Sequence, residues 1–257
     1  MFETILYEVS DGVAWIRLNR PDKLNAFIGQ MNREIANALK QSSRDEAVRA
    51  IVITGEGRAF CSGQDLSEVS EDMDHGEVLR NNYGPMVKEL AACEKPVIAA
   101  VNGVAAGAGM SLALACDFRL LSEKASFVEA FIHVGLIPDS GNLYYLTRLV
   151  GHAKALELAV FGEKITAEKA EELGLANKVI ALEDWESEVR VYAERLANMP
   201  TKAIGLIKRY LNECYDSSLE EYLEKEAYGQ RIAGQSADHL EGVGAFMEKR
   251  KPVFQGK

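Results

Sequence analysis

The sequence holds no Cys-x-x-Cys pair, and its 257 residues include only four cysteines, four histidines and six prolines. Cys61, Cys93, Cys116 and Cys214 are scattered, so neither a zinc ribbon nor a disulfide framework is expected, and a reducing, cytoplasmic setting fits. No metal constellation stands out. No run is long and apolar enough to span a bilayer, so no membrane role is expected. The opening MFETILYEVS lacks the basic-then-apolar pattern of a secretory signal, so export is not expected either. Basic residues are outnumbered, 29 against 39 acidic ones, for a net charge of −10. Such a surface repels a phosphate backbone, which argues against nucleic acid as a partner. It leaves room for one local basic pocket around a phosphorylated ligand. Low-complexity stretches and sequence repeats are also missing.

What is present is an apolar content of 47%, enough for a sizeable core. Residues 3–10 and 12–19 read as a hairpin about Asp11-Gly12. Residues 28–41 carry helical periodicity through Met31, Ile35, Ala38 and Leu39. Buried strands are expected over 50–54, 96–101, 117–121 and 177–180. Helices are expected over 78–92, 107–115, 142–150, 153–161 and 167–173, and 67–75 reads as an acidic loop or frayed helix. From Glu183 the pattern is helical nearly to the end, broken at Met199-Pro200. An α/β body over residues 1–195 with an all-helical region over 196–257 is the expected organisation.

Two stretches concentrate the chemistry. AFCSGQDL (59–66) follows the strand-like AIVITG, and NGVAAGAGMSLALACD (102–117) follows PVIAAVNG. Small residues at a strand end let a ligand approach the main chain, and N–H groups there can face a developing negative charge. Two such donors on separate loops make an oxyanion hole. Gly103, Gly107 and Gly109 also match the spacing of a dinucleotide fingerprint. No Tyr-x-x-x-Lys couple follows them, and close helix–strand packing explains them as well.

Together NRPDKLNAF (19–27), AFCSGQDL, KPVIAAVNGVAAGAGMSLALACDFRL (95–120) and VGLIPDSG (134–141) resemble the crotonase, or enoyl-CoA hydratase/isomerase, superfamily across essentially the whole chain. The resemblance implies a spiral of ββα units and a helical C-terminal region that builds homotrimers, often paired into hexamers. It implies an acyl-CoA thioester as substrate and no separate cofactor, because coenzyme A arrives on the substrate. By position it implies backbone oxyanion donors at Gln64 and Ala108. Lys23, Leu24, Ala26, Ser62, Gly63, Asp65, Leu66, Gly109 and Phe131 are the implied substrate and coenzyme A contacts. Each preorganised donor can lower an acyl-transfer or enolisation barrier by about 3 kcal/mol.

Hydratases of this superfamily place two glutamates where this chain has Ser111 and Phe131. Glu129 lies two residues from the second position, with no insertion to bring it into line, and is expected to be a solvated surface residue. Asp139 stands where some isomerases of the superfamily use an aspartate. Its surroundings resemble the branch that isomerises 1,2-epoxyphenylacetyl-CoA, apart from Asn142 at a place where that branch has glycine. A single carboxylate suffices for double-bond migration, acting first as base and then as acid. Leu136, Ile137 and Pro138 are expected to raise its pKa by burial. The competing reading makes Asp139 or Ser140 the N-cap of the following helix. Other readings are a hydratase, a dehalogenase with Asp139 as nucleophile and Phe131 as clamp, and a non-catalytic acyl-CoA-binding scaffold. Cys61 reads as a small buried filler. His133 reads as a pocket or surface residue, and His75, His152 and His239 carry no motif.

Overall fold

The computed structural model describes residues 2–68 and 70–257. The chain opens with β1 (Ile5–Ser10) and β2 (Val13–Leu18), an antiparallel hairpin turning at Asp11-Gly12. Then come α1 (Gly29–Arg44), β3 (Ala50–Gly55) and β4 (Ala59–Cys61). A short α2 (His75–Val78) runs through one π turn over Leu79–Tyr83 into α3 (Gly84–Ala92). The segments β5 (Val97–Val101), β6 (Val104–Ala106) and α4 (Ala108–Ala115) follow. Next are β7 (Phe118–Ser122), β8 (Ser126–Val128) and α5 (Asn142–Phe161), which breaks at Gly151 into the two helices that the pattern predicts. The body continues with β9 (Lys164–Thr166), α6 (Ala167–Glu172), β10 (Lys178–Ile180) and α7 (Trp185–Ala197). After Pro200 the chain is helical: α8 (Thr201–Glu213), α9 (Leu219–Gly234) and α10 (Ala237–Glu248). No helix among the described residues is long and apolar enough to cross a membrane.

The strands form two sheets. One has the order β1-β2-β3-β5-β7-β10, parallel from β2 onward, and the other the order β4-β6-β8-β9. A strand of the first sheet is followed three times by a strand of the second: β3 by β4, β5 by β6, β7 by β8. This repetition is structural, with little echo in the residues. The second sheet leaves no signal in the sequence because its strands are three residues each, too short for an alternating pattern to register.

The first sheet is buried on both faces, which is why its strands are nearly continuous runs such as AIVITG and VIAAV. One face packs with α1, α3 and α4 around Ile16, Ile35, Ile53, Phe60 and Met110. The other packs against α7 through Val52, Ile98, Leu120, Val189 and Ala193. Arg49 ties the body to the last helices, donating to Thr201 Oγ1, to Met199 O and to Phe254 O.

Candidate functional site

The AFCSGQDL loop is laced to the preceding NRPDKLNAF loop. Ser62 N–H donates to Leu24 O (3.0 Å), Phe27 N–H to Gly63 O (2.7 Å) and Asp65 N–H to Phe27 O (2.9 Å). Asn25, fully buried in a left-handed turn, donates to Glu56 O and Ala59 O and pins the same loop to β4. Asn25 belongs to the NRPDKLNAF motif, yet its purpose shows only in three dimensions. Arg20 pairs with Asp65 at 2.9 Å and also donates to Ala26 O. The hydroxyl of Ser67 and the guanidinium of Arg20 hold the Asp65 carboxyl down at about 2. That carboxylate is therefore spent on loop architecture.

The pairing of Phe27 with Gln64 has a consequence for the main chain. Gly63 C=O and Asp65 N–H point toward Phe27, so the N–H of Gln64, between them, points the other way. It has no backbone acceptor among the described residues. Ala108, the first residue of α4, has no intrahelical acceptor for its N–H either. The two loops meet closely. Gly63 sits at φ +95°, and a Cβ there would lie 2.9 Å from Ala106 O and 3.6 Å from Ala108 N. Gly109 lies against β4, where a Cβ would come within 2.2 Å of Cys61 O. Glycine at both places is a requirement of backbone approach.

These amides border a cavity of about 390 Å³. Ser62, Gly63, Gln64 and Leu66 line it on one side, with Gly107 and Ala108 adjoining, and Phe131 and Asp139 contribute from the 130–139 segment. Lys23, Leu24, Ala26, Asp65 and Gly109 stay off this wall. Lys23 is exposed beside the loop, Leu24 and Ala26 lie under Ser62 and Arg20, and Gly109 backs onto β4. The remaining walls are mostly apolar: Met73, Val78, Leu79, Val134, Leu136 and Ile137.

Two residues without a sequence motif also reach the cavity. His75 lines it from α2 and favours the ionised form of Asp139. Tyr83, 3% exposed at the end of the π turn, donates its hydroxyl to Gln64 Oε1 and packs edge-on to Phe27 at 5.7 Å. A π turn in a helix is a frequent mark of a functional site, but no residue pattern announced this one.

Asp139 sits in the cavity wall as expected. Desolvation by its apolar surroundings raises its pKa; the Ser140 hydroxyl, donating at 2.8 Å, and His75 offset part of that. The capping reading fails. The N-cap of α5 is Gly141 with no side-chain cap, and Asp139 meets the helix only through its carbonyl, which accepts from Asn142 N–H at 2.9 Å. Cys61 is fully buried and its thiol is pushed up to about 12, as befits inert packing.

Glu129 corrects the sequence reading. It is 1% exposed, not a solvated surface residue, because β8 and the turn after it carry it behind the cavity wall. Neither carboxyl oxygen has a hydrogen-bond partner among the described residues. Burial pushes its pKa up to about 7, countered in part by the Asn142 side chain and reinforced by Asp139. Ser111 is fully buried beneath Gly107 and does not line the cavity.

The family model for enoyl-CoA hydratase/isomerase matches residues 8–257. The 1,2-epoxyphenylacetyl-CoA isomerase of Escherichia coli K12 is 44% identical over 262 residues, covering all of both chains. A protein of Rhodobacter capsulatus named as a probable enoyl-CoA hydratase is 45% identical, covering 100% of this chain and 99% of its own. Among solved structures, an enoyl-CoA hydratase from Bacillus anthracis superposes with a TM-score of 0.92 at 32% identity. That match covers 99% of this chain and 100% of the other.

Proposed function

The chain belongs to the enoyl-CoA hydratase/isomerase family, and within it we propose an acyl-CoA thioester isomerase that works with one aspartate and two main-chain amides. The observation that carries this reading is that, among the described residues, Asp139 is the single carboxyl lining an apolar cavity that Gln64 and Ala108, whose N–H groups have no backbone acceptor, also line. The thioester oxygen rests between those amides. Asp139 takes a proton from the carbon next to the thioester, and the resulting enolate oxygen is held by the two N–H groups. Protonated Asp139 returns the proton at the γ carbon, moving the double bond from C3 to C2. With a 1,2-epoxyphenylacetyl thioester the same amides and carboxyl would assist ring expansion. The name of the E. coli relative, the first of these two activities aside, adds support for the epoxide substrate.

The hydratase reading needs a second carboxylate in the cavity. Ser111 and Phe131 occupy those positions, and Glu129 does not reach the wall. Assembly into trimers or pairs of trimers belongs to the same reading. Leu240, Phe246, Met247 and Val253 leave more than two-thirds of their surfaces exposed on and after the last helix, as a subunit interface requires.

The deciding experiment compares crotonyl-CoA hydration, 3-enoyl-CoA isomerisation and turnover of the epoxyphenylacetyl thioester by the purified protein. Isomerisation of either latter substrate is the expected result. Rapid hydration, or tight thioester binding with no turnover of any of the three, overturns it.

A further inference from the structure

Glu129 is a buried carboxyl that the proposed reaction leaves unused. Among the described residues both its oxygens lack partners, and so does the Oδ1 of Asn142, the residue facing it from the first turn of α5, whose amide offsets only part of the cost of burying the acid. Three acceptors cannot satisfy one another. A neutral carboxylic acid removes the conflict by donating its O–H to Asn142 Oδ1. The next links have a fixed direction. Ser111 Oγ donates to Gly107 O at 3.2 Å, so the same oxygen must accept from Asn142, whose Nδ2 lies 3.3 Å away. Gly107 C=O and Ala108 N–H are the two ends of one peptide plane. A donor on the carbonyl of a peptide polarises its N–H, and each bond in such a chain strengthens the next.

We infer that Glu129, Asn142 and Ser111 form a buried donor chain that orients and polarises the Gly107–Ala108 peptide from behind. They are positioning residues; none of the three lines the cavity. The inference rests on Ala108 N–H serving as a donor to the thioester oxygen. A serine bonded to the carbonyl four residues back is common in helices. Here the bond continues through two further side chains, 0% and 1% exposed, to an acid that water cannot serve. Ser111, at the position of a hydratase carboxylate, acts on the far side of the amide instead of on the substrate.

The test uses the full chain as the native protein and as Ser111→Ala, Glu129→Gln, Glu129→Met and Asp139→Asn. The probe is phenylacetyl-CoA labelled with ¹³C at the carbonyl, read by its resonance when bound, alongside kcat and KM for a 3-enoyl-CoA. The native protein should move the resonance downfield, and Asp139→Asn should keep that shift while losing turnover. Ser111→Ala and Glu129→Met should return the resonance toward its free position and lower kcat about tenfold, with KM within about twofold, because the donor is weakened and not removed. Glu129→Gln retains a donor to Asn142 and should match the native protein. An unchanged resonance and kcat in Ser111→Ala, the smallest of these changes, overturns the chain while leaving the amide reading intact. So does Glu129→Gln behaving like Glu129→Met. A native protein that leaves the resonance unmoved overturns the amide reading, and the chain with it.

Discussion

Asp139 and Glu129 lie ten residues apart and are both carboxyls withdrawn from water, yet their surroundings differ in kind. Asp139 stands half-buried in the cavity wall with a hydroxyl at 2.8 Å, and His75 lines the same cavity. Glu129 is sealed behind that wall, with no donor on either oxygen among the described residues. Burial opposes the charge of both. Asp139 has two groups that favour its ionised form, Ser140 and His75, which suits it to the proposed cycling between base and acid, whereas Glu129 has only the Asn142 side chain against its burial and is suited to stay neutral. The difference teaches that a carboxyl's role follows from the donors beside it more than from its depth.

Replacing Asp139 by asparagine is the largest blow to this comparison. It should cut isomerisation about 10³-fold with acyl-CoA affinity within about threefold, measured by turnover and calorimetric binding. Native-like turnover in that variant would remove the contrast. The next effect is on stability. Folding raises the Glu129 pKa from 4.5 to about 7, so the folded protein keeps a proton that the unfolded chain has released. The sign follows: stability from this group is full below about pH 4.5 and declines as pH rises toward 7. The loss is on the order of 3 kcal/mol. Denaturant melts at pH 5 and pH 8 should show that decline, and Glu129→Gln should flatten it. An identical pH slope in the variant would mean that Glu129 is solvated in solution.

Asp139 titrates in the same direction for a different reader. Its raised pKa places the acid limb of kcat/KM above the ordinary aspartate range, with the rate falling as pH drops. Gly109→Ala tests the frame that both carboxyls share. A methyl 2.2 Å from Cys61 O forces α4 off β4, and a loss of about 2 kcal/mol in a thermal or urea melt is expected. The smallest effect is that of Tyr83→Phe. It removes the hydroxyl that Gln64 accepts, while keeping the ring on Phe27, and should lower kcat about threefold, or about 0.7 kcal/mol.

Much of this was legible in the residues. The first sheet reads from its apolar runs, the hairpin from Asp11-Gly12, and the break in α5 from Gly151 between two periodic stretches. The glycine loops and Asp139 read from their motifs. Glu129 did not, because Asn142, the residue that faces it, lies thirteen positions away, and a lone glutamate after SFV resembles any strand end. His75 and Tyr83 were illegible for a related reason. The acidic stretch before α2 carries no period, and a π turn shifts the helical register so that Val78, Leu79 and Tyr83 reach one wall. The second sheet was lost to brevity, and Asn25 to its setting, since its side chain works on carbonyls more than thirty residues away.

The unpaired amides of Gln64 and Ala108 belong to every amino acid except proline. Genetic drift at these two positions can exchange the side chains and still hand down the N–H groups. On the proposed reading, a lineage built on this cavity inherits its grip on a carbonyl oxygen almost without upkeep, and can change trade by altering one side chain at a place such as 131 or 139.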